Sequence, residues 1–293
     1  MKKWPNDLNF EWMTNYTPQK EWIEGGGKLI WLALFFTELG AGLFFVSIFF
    51  NNPLGMLFGW FICLFLGGGS FLVHMGKPLR SFRCVLKPQT SWISRGVIFI
   101  TLFGAIGAVE IVLTYLDPNW NLLPLQVIMG ILCILVAIYA GILMSYVRAI
   151  PLWDTGLLPI TYLVAGLWGG AELLLSIYLF TGVSIESIEP WIRVLLPSFA
   201  LILVLYLMTV TSSSTTGLAS VKRIVSGDLS MHFYLGVVII GLLFPVTVVL
   251  YSIFIGAALV ATPLFLAAIV CGLIGDLTMR YCIMKGALYS PLI

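Results

Sequence analysis

Eight long apolar stretches, separated by short polar segments, dominate the hydropathy pattern of this chain. A helix needs about 20 apolar residues to cross the hydrocarbon core of a bilayer, and each stretch reaches that length. None shows the alternation of polar and apolar residues that is typical of membrane β-strands. The stretches cover roughly residues 28–50, 53–74, 92–116, 124–146, 157–181, 190–211, 232–254 and 263–284. We therefore predict an all-α integral membrane protein with eight transmembrane helices, most naturally divided into two four-helix bundles.

The first 27 residues differ from this pattern because they are polar and aromatic. They lack a short apolar run followed by a small-residue cleavage site, so no cleavable signal peptide is expected. Trp4, Trp12 and Trp22 suit the headgroup region, where an indole ring is half-buried and its N–H stays hydrated. We interpret residues 1–27 as an interfacial arm and residues 28–293 as the membrane domain.

Composition supports the membrane assignment. Of the 293 residues, 60% are hydrophobic and only 10% are charged, and the mean hydropathy of +1.05 requires most of the chain to lie in lipid. We expect the lipid bilayer, and no nucleic acid, among its partners.

The basic residues are distributed very unevenly between the two ends of the predicted helices. Only Arg193 falls at one end, whereas the other end holds the remaining fourteen. By the positive-inside rule, this bias predicts a cytoplasmic-membrane protein with both termini in the cytoplasm. The fourteen are Lys2, Lys3, Lys20, Lys28, Lys77, Arg80, Arg83, Lys87, Arg95, Arg148, Lys222, Arg223, Arg280 and Lys285.

Four carboxylic side chains lie within the predicted spans: Glu38, Glu110, Glu172 and Asp276. An ionisable residue in a membrane helix costs about 2.5–3.5 kcal/mol on insertion scales and therefore tends to face the bundle interior. The four side chains could form a proton path, or they could hydrogen-bond neutral partners and stabilise helix packing. Asp276 has a further alternative, since Arg280 lies one helical turn along the same face.

Redox metal centres are not expected in this chain. A membrane haem usually needs two axial histidines, and only His74 and His232 are available, both at helix ends. The cysteines show no CxxC spacing, which argues against an iron–sulfur cluster or a zinc site. They are Cys63, Cys84, Cys133, Cys271 and Cys282. Any electrons handled here must therefore come from, or go to, another subunit.

The segment from residue 74 to residue 95 is one of the longest interruptions of the apolar pattern, and it carries five of the fifteen basic residues. We interpret it as part of a basic docking face for a partner protein. The residues predicted for this face are Lys77, Arg80, Arg83, Lys87 and Arg148. Tyr139 lies about two turns inside the same boundary, where a buried phenol must find a hydrogen-bond partner.

Three segments resemble the NrfD family of polysulfide reductase membrane subunits. They are HMGKPLRSFRCVLKPQTSWISRG at residues 74–96, YAGILMSYVRAIPLWDTGLLPITYLVAGLWGGA at 139–171 and SVKRIVSGDLSMHFYLGVVIIGLLFPV at 220–246. The resemblance implies a haem-free subunit of two four-helix bundles that oxidises or reduces quinone. It also implies an iron–sulfur partner subunit and often a molybdopterin catalytic subunit, which would hold the catalytic centre for the soluble substrate. The family's quinone-site tyrosine falls on Tyr139.

The chain departs from the family pattern in two respects. Some relatives place an asparagine and a histidine near the start of the first helix, where this chain offers Lys28 and Trp31. We predict a quinone site formed by Tyr139, His74 and Arg95, with Lys28 and Trp31 nearby. Many relatives bind their iron–sulfur partner outside the cytoplasmic membrane, whereas the charge bias here predicts a cytoplasmic partner.

Two other functions remain open at this level. Eight helices, intramembrane carboxylates and the glycine-rich segment at residues 67–70 would also suit a proton-coupled solute transporter. The chain could alternatively be a purely structural membrane anchor. The quinone type, the soluble substrate and the direction of electron flow leave no signature in the sequence.

Overall fold

The structure is a computed structural model that describes residues 16–76, 83–117 and 122–291. Within these ranges, eight helices are long and apolar enough to cross a membrane. They are Gly27–Phe49 (α1), Pro53–His74 (α2), Trp92–Leu116 (α3), Leu123–Ser145 (α4), Leu157–Thr181 (α5), Glu189–Ser213 (α6), His232–Ile255 (α8) and Thr262–Lys285 (α9). The prediction of an all-α membrane protein with eight spans is confirmed, and every predicted boundary lies within two residues of the observed one.

A ninth helix, Thr215–Val225 (α7), follows α6 directly and was not predicted. It is too short to span a bilayer, and its apolar side chains occupy only one face, so it produces no continuous apolar run. The Ser214 hydroxyl begins the helix by accepting a hydrogen bond from the Gly217 N–H at 3.0 Å. Val221 and Ile224 of α7 are buried against the bundle.

The eight spans are organised around two hydrophobic cores. The smaller core is formed by α1–α4 and includes Phe44, Met56, Phe103 and Met129. The larger core is formed mainly by α5, α6, α8 and α9, with α1 and α4 packed against them. Helix α1 therefore belongs to both halves of the molecule and separates them.

Helices α1 and α5 approach each other closely through small residues. A side chain at Gly42 would place its Cβ 1.9 Å from the carbonyl oxygen of Gly166, and one at Gly170 would meet the backbone of Gly42 at 2.3 Å. Gly166 and Gly170 form a GxxxG pattern, which allows backbones in a membrane to pack directly against each other. The contact between the two halves therefore requires glycine at these positions.

A buried ionic cluster joins α1 to α9 beside this contact. The Arg280 guanidinium donates two hydrogen bonds to the Glu38 carboxylate, each 2.6 Å long, and two to Asp276, each 3.1 Å long. It also lies over the ring of Tyr162 on α5, 4.4 Å from the ring centroid. Because Arg280, Glu38 and Asp276 are all almost completely buried, each charge depends on the others for stabilisation.

Both described ends of the chain lie together at the end of the bundle that carries most basic residues, which we call the basic end. Strand β1 (Thr17–Pro18) pairs antiparallel with β2 (Leu288–Tyr289). Trp22 packs against Trp153 with ring centroids 5.3 Å apart. The described part of the predicted arm thus folds onto the bundle, while Trp4 and Trp12 lie outside the described residues.

Two surface ion pairs strengthen this end. Glu24 accepts a hydrogen bond from Lys285 at the end of α9, and this bond lowers the pKa of the Glu24 carboxyl. Arg223 of α7 binds Asp228 at 2.8 Å, and the bond lowers the pKa of that carboxyl as well. Both pairs are exposed to solvent, so their contribution to stability is small.

We predict that Arg280→Leu strongly destabilises the protein, because it leaves two buried carboxylic groups without their cation. Removal of one partner from a buried ion pair costs about 3–5 kcal/mol. The measurement is thermal unfolding of the purified protein in mild detergent. Arg148→Leu provides the matched control, since Arg148 is exposed. Equal unfolding temperatures for the two variants would contradict the stabilising role of the cluster.

Candidate functional site

A cavity of about 550 Å³ lies inside the α1–α4 half, toward the basic end. Its volume is within the range of small-molecule binding sites in proteins, about 300–1,000 Å³. Its walls are mainly apolar, and the Tyr139 phenol and two threonines are the polar side chains among its lining residues. They are Ala33, Leu34, Thr37, Leu64, Gly68, Phe71, Leu72, Met75, Val97, Ile100, Thr101, Gly104, Ala105, Val136, Tyr139 and Ala140.

The cavity has a closed side and an open side. All its lining residues on α1 and α4 are buried, whereas all those on α2 and α3 are at least partly exposed. Leu72, for example, is 41% exposed, and Leu34 is only 4% exposed. The cavity is therefore accessible from the outer surface of the bundle between α2 and α3.

A π-helical segment of α2, Ile62–Gly68, forms part of this open side. The extra residue per turn in such a segment changes the direction of the following side chains, and π-helical turns are often found at functional sites. Here the segment contributes Leu64 and Gly68 to the cavity wall.

Tyr139 is the most polar feature of the cavity. Its side chain is 5% exposed, and among the hydrogen bonds of the described residues none involves its hydroxyl group. Its ring lies directly on Gly96 of α3, where a Cβ would be 2.1 Å from the ring carbon that bears the hydroxyl. The phenol is thus held in place by packing, with its hydrogen-bonding capacity available to a molecule in the cavity.

Two other residues predicted for the quinone site point elsewhere. The Trp31 indole donates to the carbonyl oxygen of Leu277 at 3.1 Å, on α9, a helix that does not line the cavity. His74 Nδ1 lies 3.0 Å from the carbonyl oxygen of Gly26 and thereby links the end of α2 to the start of α1. Neither side chain lines the cavity, and the exposed Lys28 does not line it either.

Arg95, the remaining residue predicted for the quinone site, holds the adjacent loop. Its Nε donates to the Pro88 carbonyl oxygen at 2.8 Å, and its Nη2 donates to that of Gln89 at 2.9 Å. The guanidinium also covers the ring of Trp92 at 4.4 Å. Arg95 therefore positions residues 88–89 near the start of α3, and its side chain is not among those that line the cavity.

Sequence reasoning missed several residues that shape the cavity. Thr37 and Met75 contribute directly to its walls, and Gly96 supports the Tyr139 ring. The Cys84 thiol donates to the Met75 sulfur at 3.7 Å, which connects the loop before α3 to the cavity. None of these residues carries a charge, so only their spatial arrangement identifies them.

Only part of the predicted docking face lies within the residues that the structure describes. Arg83, Lys87 and Arg148 are exposed at the basic end, on the same side of the bundle as the Tyr139 end of the cavity. Lys77 and Arg80 lie outside the described residues. The described part of the face is therefore cationic and accessible to a partner protein.

The predicted proton-path residues fall into two separate groups. Glu38 and Asp276 share Arg280, and Glu172 lies against Gly272, one turn of α9 away from Asp276, where a Cβ would be 2.6 Å from Glu172 Oε2. Glu110 is isolated from them in the α1–α4 half. Both of its carboxyl oxygens are buried without a hydrogen-bond partner among the described residues.

Glu189, which lies one residue before the predicted start of the sixth span, is a buried residue that extends the first group. It is the first residue of α6 and is only 3% exposed. Its Oε1 accepts hydrogen bonds from Arg193 Nε and from the Ser252 hydroxyl, both at 2.6 Å. The hydropathy pattern did not indicate this buried position, because Glu189 is preceded by a loop and followed by a proline.

Comparison with known proteins shows the family of this chain. A family model described as polysulphide reductase, NrfD, matches residues 26–290 and therefore includes all eight membrane helices. No match was found among curated proteins. Proteins of this family are quinone-linked membrane subunits of complexes that also contain iron–sulfur and molybdopterin subunits. Since the match covers almost the entire chain, this multi-pass membrane protein belongs to the NrfD family.

Proposed function

We propose that this protein is the quinone-reacting membrane subunit of a respiratory oxidoreductase complex and exchanges electrons with an iron–sulfur partner subunit. The observation that carries the proposal is the apolar cavity toward the basic end, into which Tyr139 brings a hydroxyl group that has no hydrogen-bond partner among the described residues. A quinone combines an apolar ring and tail with two carbonyl oxygens. Such a ligand matches an apolar cavity with few polar groups.

The shape of the cavity supports a defined orientation of the ligand. A quinone head group fits beside Tyr139, with the phenol donating a hydrogen bond to one quinone oxygen. The isoprenoid tail then leaves through the opening between α2 and α3 into the lipid. A mainly apolar opening of this kind, with Thr101 as its polar side chain among the described residues, is poorly suited to a water-soluble substrate, which favours quinone chemistry over the transporter alternative.

The position of the cavity supports electron exchange at the basic end. Reduction of a quinone to a quinol consumes two electrons and two protons, and oxidation of a quinol releases them. The iron–sulfur subunit would bind to the cationic face that includes Lys87 and Arg148. A molybdopterin-type catalytic subunit would in turn bind to the iron–sulfur subunit. Because the distribution of basic residues favours a cytoplasmic position for this face by the positive-inside rule, we propose a cytoplasmic partner.

Proton conduction is the second part of the proposal. Glu38, Asp276 and Glu172 follow one another through the second half of the molecule, and Glu38 is adjacent in sequence to Thr37 in the cavity wall. The Arg280 cluster contains two carboxylic groups and one cation, so a neutral cluster holds one proton. This arrangement supports a route by which quinone turnover is coupled to proton movement toward the opposite end.

We predict that Tyr139→Phe reduces kcat/KM for quinone turnover by about two- to tenfold, because a neutral hydrogen bond contributes about 0.5–1.5 kcal/mol. The variant retains the ring that packs on Gly96, so assembly should be unaffected. Tyr146→Phe is the control, since Tyr146 directly follows the last residue of the same helix but is 63% exposed. Unchanged turnover in Tyr139→Phe would show that the Tyr139 hydroxyl does not bind the quinone.

We predict that Gly96→Ala impairs quinone turnover through steric displacement of Tyr139, since its Cβ would overlap the ring. Overpacking of this kind costs about 1–3 kcal/mol, so thermal stability should also fall. The double variant Gly96→Ala/Tyr139→Leu should regain stability without regaining turnover. Gly69→Ala is the control, because a Cβ at Gly69 meets no atom within 4 Å. Normal turnover in Gly96→Ala would contradict the proposed position of the head group.

We predict that the double charge reversal Lys87→Glu/Arg148→Glu weakens binding of the iron–sulfur subunit by at least about tenfold. The new carboxylates would face acidic groups of the partner, and like charges that face each other across an interface cost several kcal/mol. The measurement is recovery of partner subunits after purification in mild detergent, at several salt concentrations. Lys87→Arg/Arg148→Lys preserves the charge and should retain the partners. A chain that purifies alone and moves a solute in vesicles would favour the transporter alternative.

A further inference from the structure

We propose that Glu172 and Glu189 together bind one water molecule that relays protons between them, with Glu189 as the exit group of the proton route. This inference rests on the proposed proton conduction and specifies its last part, at the end of the bundle opposite the basic end. It adds a residue, Glu189, that lies just outside the sixth predicted span.

A small cavity separates the two carboxylic groups. Its volume is about 20 Å³, and Glu172 of α5 and Glu189 of α6 are the two polar side chains in its wall. The rest of the wall is apolar and includes Val248 of α8 and Ala268 of α9. A cavity needs about 10–15 Å³ and two or more polar partners to hold a water molecule. This cavity meets both conditions for a single water.

Glu172 supplies the strongest reason for a bound water. Its side chain is 2% exposed, and its Oε2 atom is buried with no hydrogen-bond partner among the described residues. Buried polar atoms almost always have a partner, either in the protein or in ordered water. A water in the adjacent cavity would satisfy this oxygen.

Glu189 is suited to accept a proton from that water. The bonds from Arg193 and Ser252 both end on its Oε1 atom, so neither of them occupies Oε2. Arg193 is 34% exposed and extends from Glu189 to the surface of the protein. Glu189 therefore connects the buried cavity with the surface at this end.

The transfer step is balanced in atoms and charge. A proton leaves the Glu172 carboxyl group for the water, which simultaneously passes one of its own protons to the Glu189 carboxylate. The water molecule is unchanged, Glu172 becomes a carboxylate, and Glu189 later releases its proton at the surface beside Arg193. Glu172 is then protonated again from Asp276, which lies one turn of α9 from Gly272, the residue against which the Glu172 carboxyl packs.

Ala268→Val tests the water directly, because its two additional methyl groups occupy the small cavity while both carboxylic groups remain. Ala267→Val is the matched control, since Ala267 is the preceding residue of the same helix but is exposed on the outer surface. Each variant is purified as the complete complex and reconstituted in proteoliposomes. Quinone turnover and proton translocation are measured together, and a high-resolution map of the wild-type complex is examined for water.

We expect a water within hydrogen-bonding distance of Glu172 and Glu189 in the wild-type map. We also expect the proton-to-electron ratio to fall by at least about tenfold in Ala268→Val and in Glu189→Gln, because positioned proton transfer contributes about 10²–10⁴-fold in rate. Ala267→Val should keep the wild-type ratio, and all variants should turn over quinone normally when an ionophore removes the proton gradient.

A map without water at this position, or equal proton-to-electron ratios in Ala268→Val and Ala267→Val, would overturn the relay. Failure of the proposed function gives a different result. If the wild-type complex itself translocates no protons, both proton conduction and the relay are refuted. A water seen between Glu172 and Glu189 in the map would in that case still support the water-binding site.

Discussion

The ion cluster of Arg280, Glu38 and Asp276 is the interaction on which the arrangement of the membrane helices depends. Ionisable groups in a hydrocarbon environment are unstable individually, and these three become stable only when α1 and α9 bring them into contact. The direct approach of α1 to α5 through Gly42 and Gly166 lies beside the cluster. Together these contacts hold the two halves of the molecule in one relative position.

Helix α1 carries a different chemical environment on each of its two faces. Thr37 lines the large apolar cavity of the first half, and Glu38, the next residue, binds Arg280 in the second half. Because successive residues of a helix point about 100° apart, a single turn connects the proposed quinone site with the ionic cluster. This proximity gives a short physical connection between quinone chemistry and the charge state of the second half.

The two halves divide the proposed work between them. The first half provides an apolar space with one phenol, which suits a lipid-soluble ligand and excludes bulk water. The second half contains most of the buried ionisable groups, from Asp276 through Glu172 to Glu189, and we propose that this half conducts protons. Glu110 does not fit this division, because it is buried in the first half and is not in contact with Glu38, Asp276 or Glu172.

The sequence by itself determined the eight spans, their boundaries and the resemblance to the NrfD family, because hydropathy and local motifs are properties of neighbouring residues. It also identified Tyr139 and the buried carboxylic groups by their residue type and depth. Only the tertiary structure decided that Trp31 and Arg95 turn away from the cavity, that Glu38 binds Arg280 across 242 positions of the chain, and that Glu189 is buried. The physical reason is that the direction of a side chain depends on the neighbouring helices, which come from distant parts of the sequence.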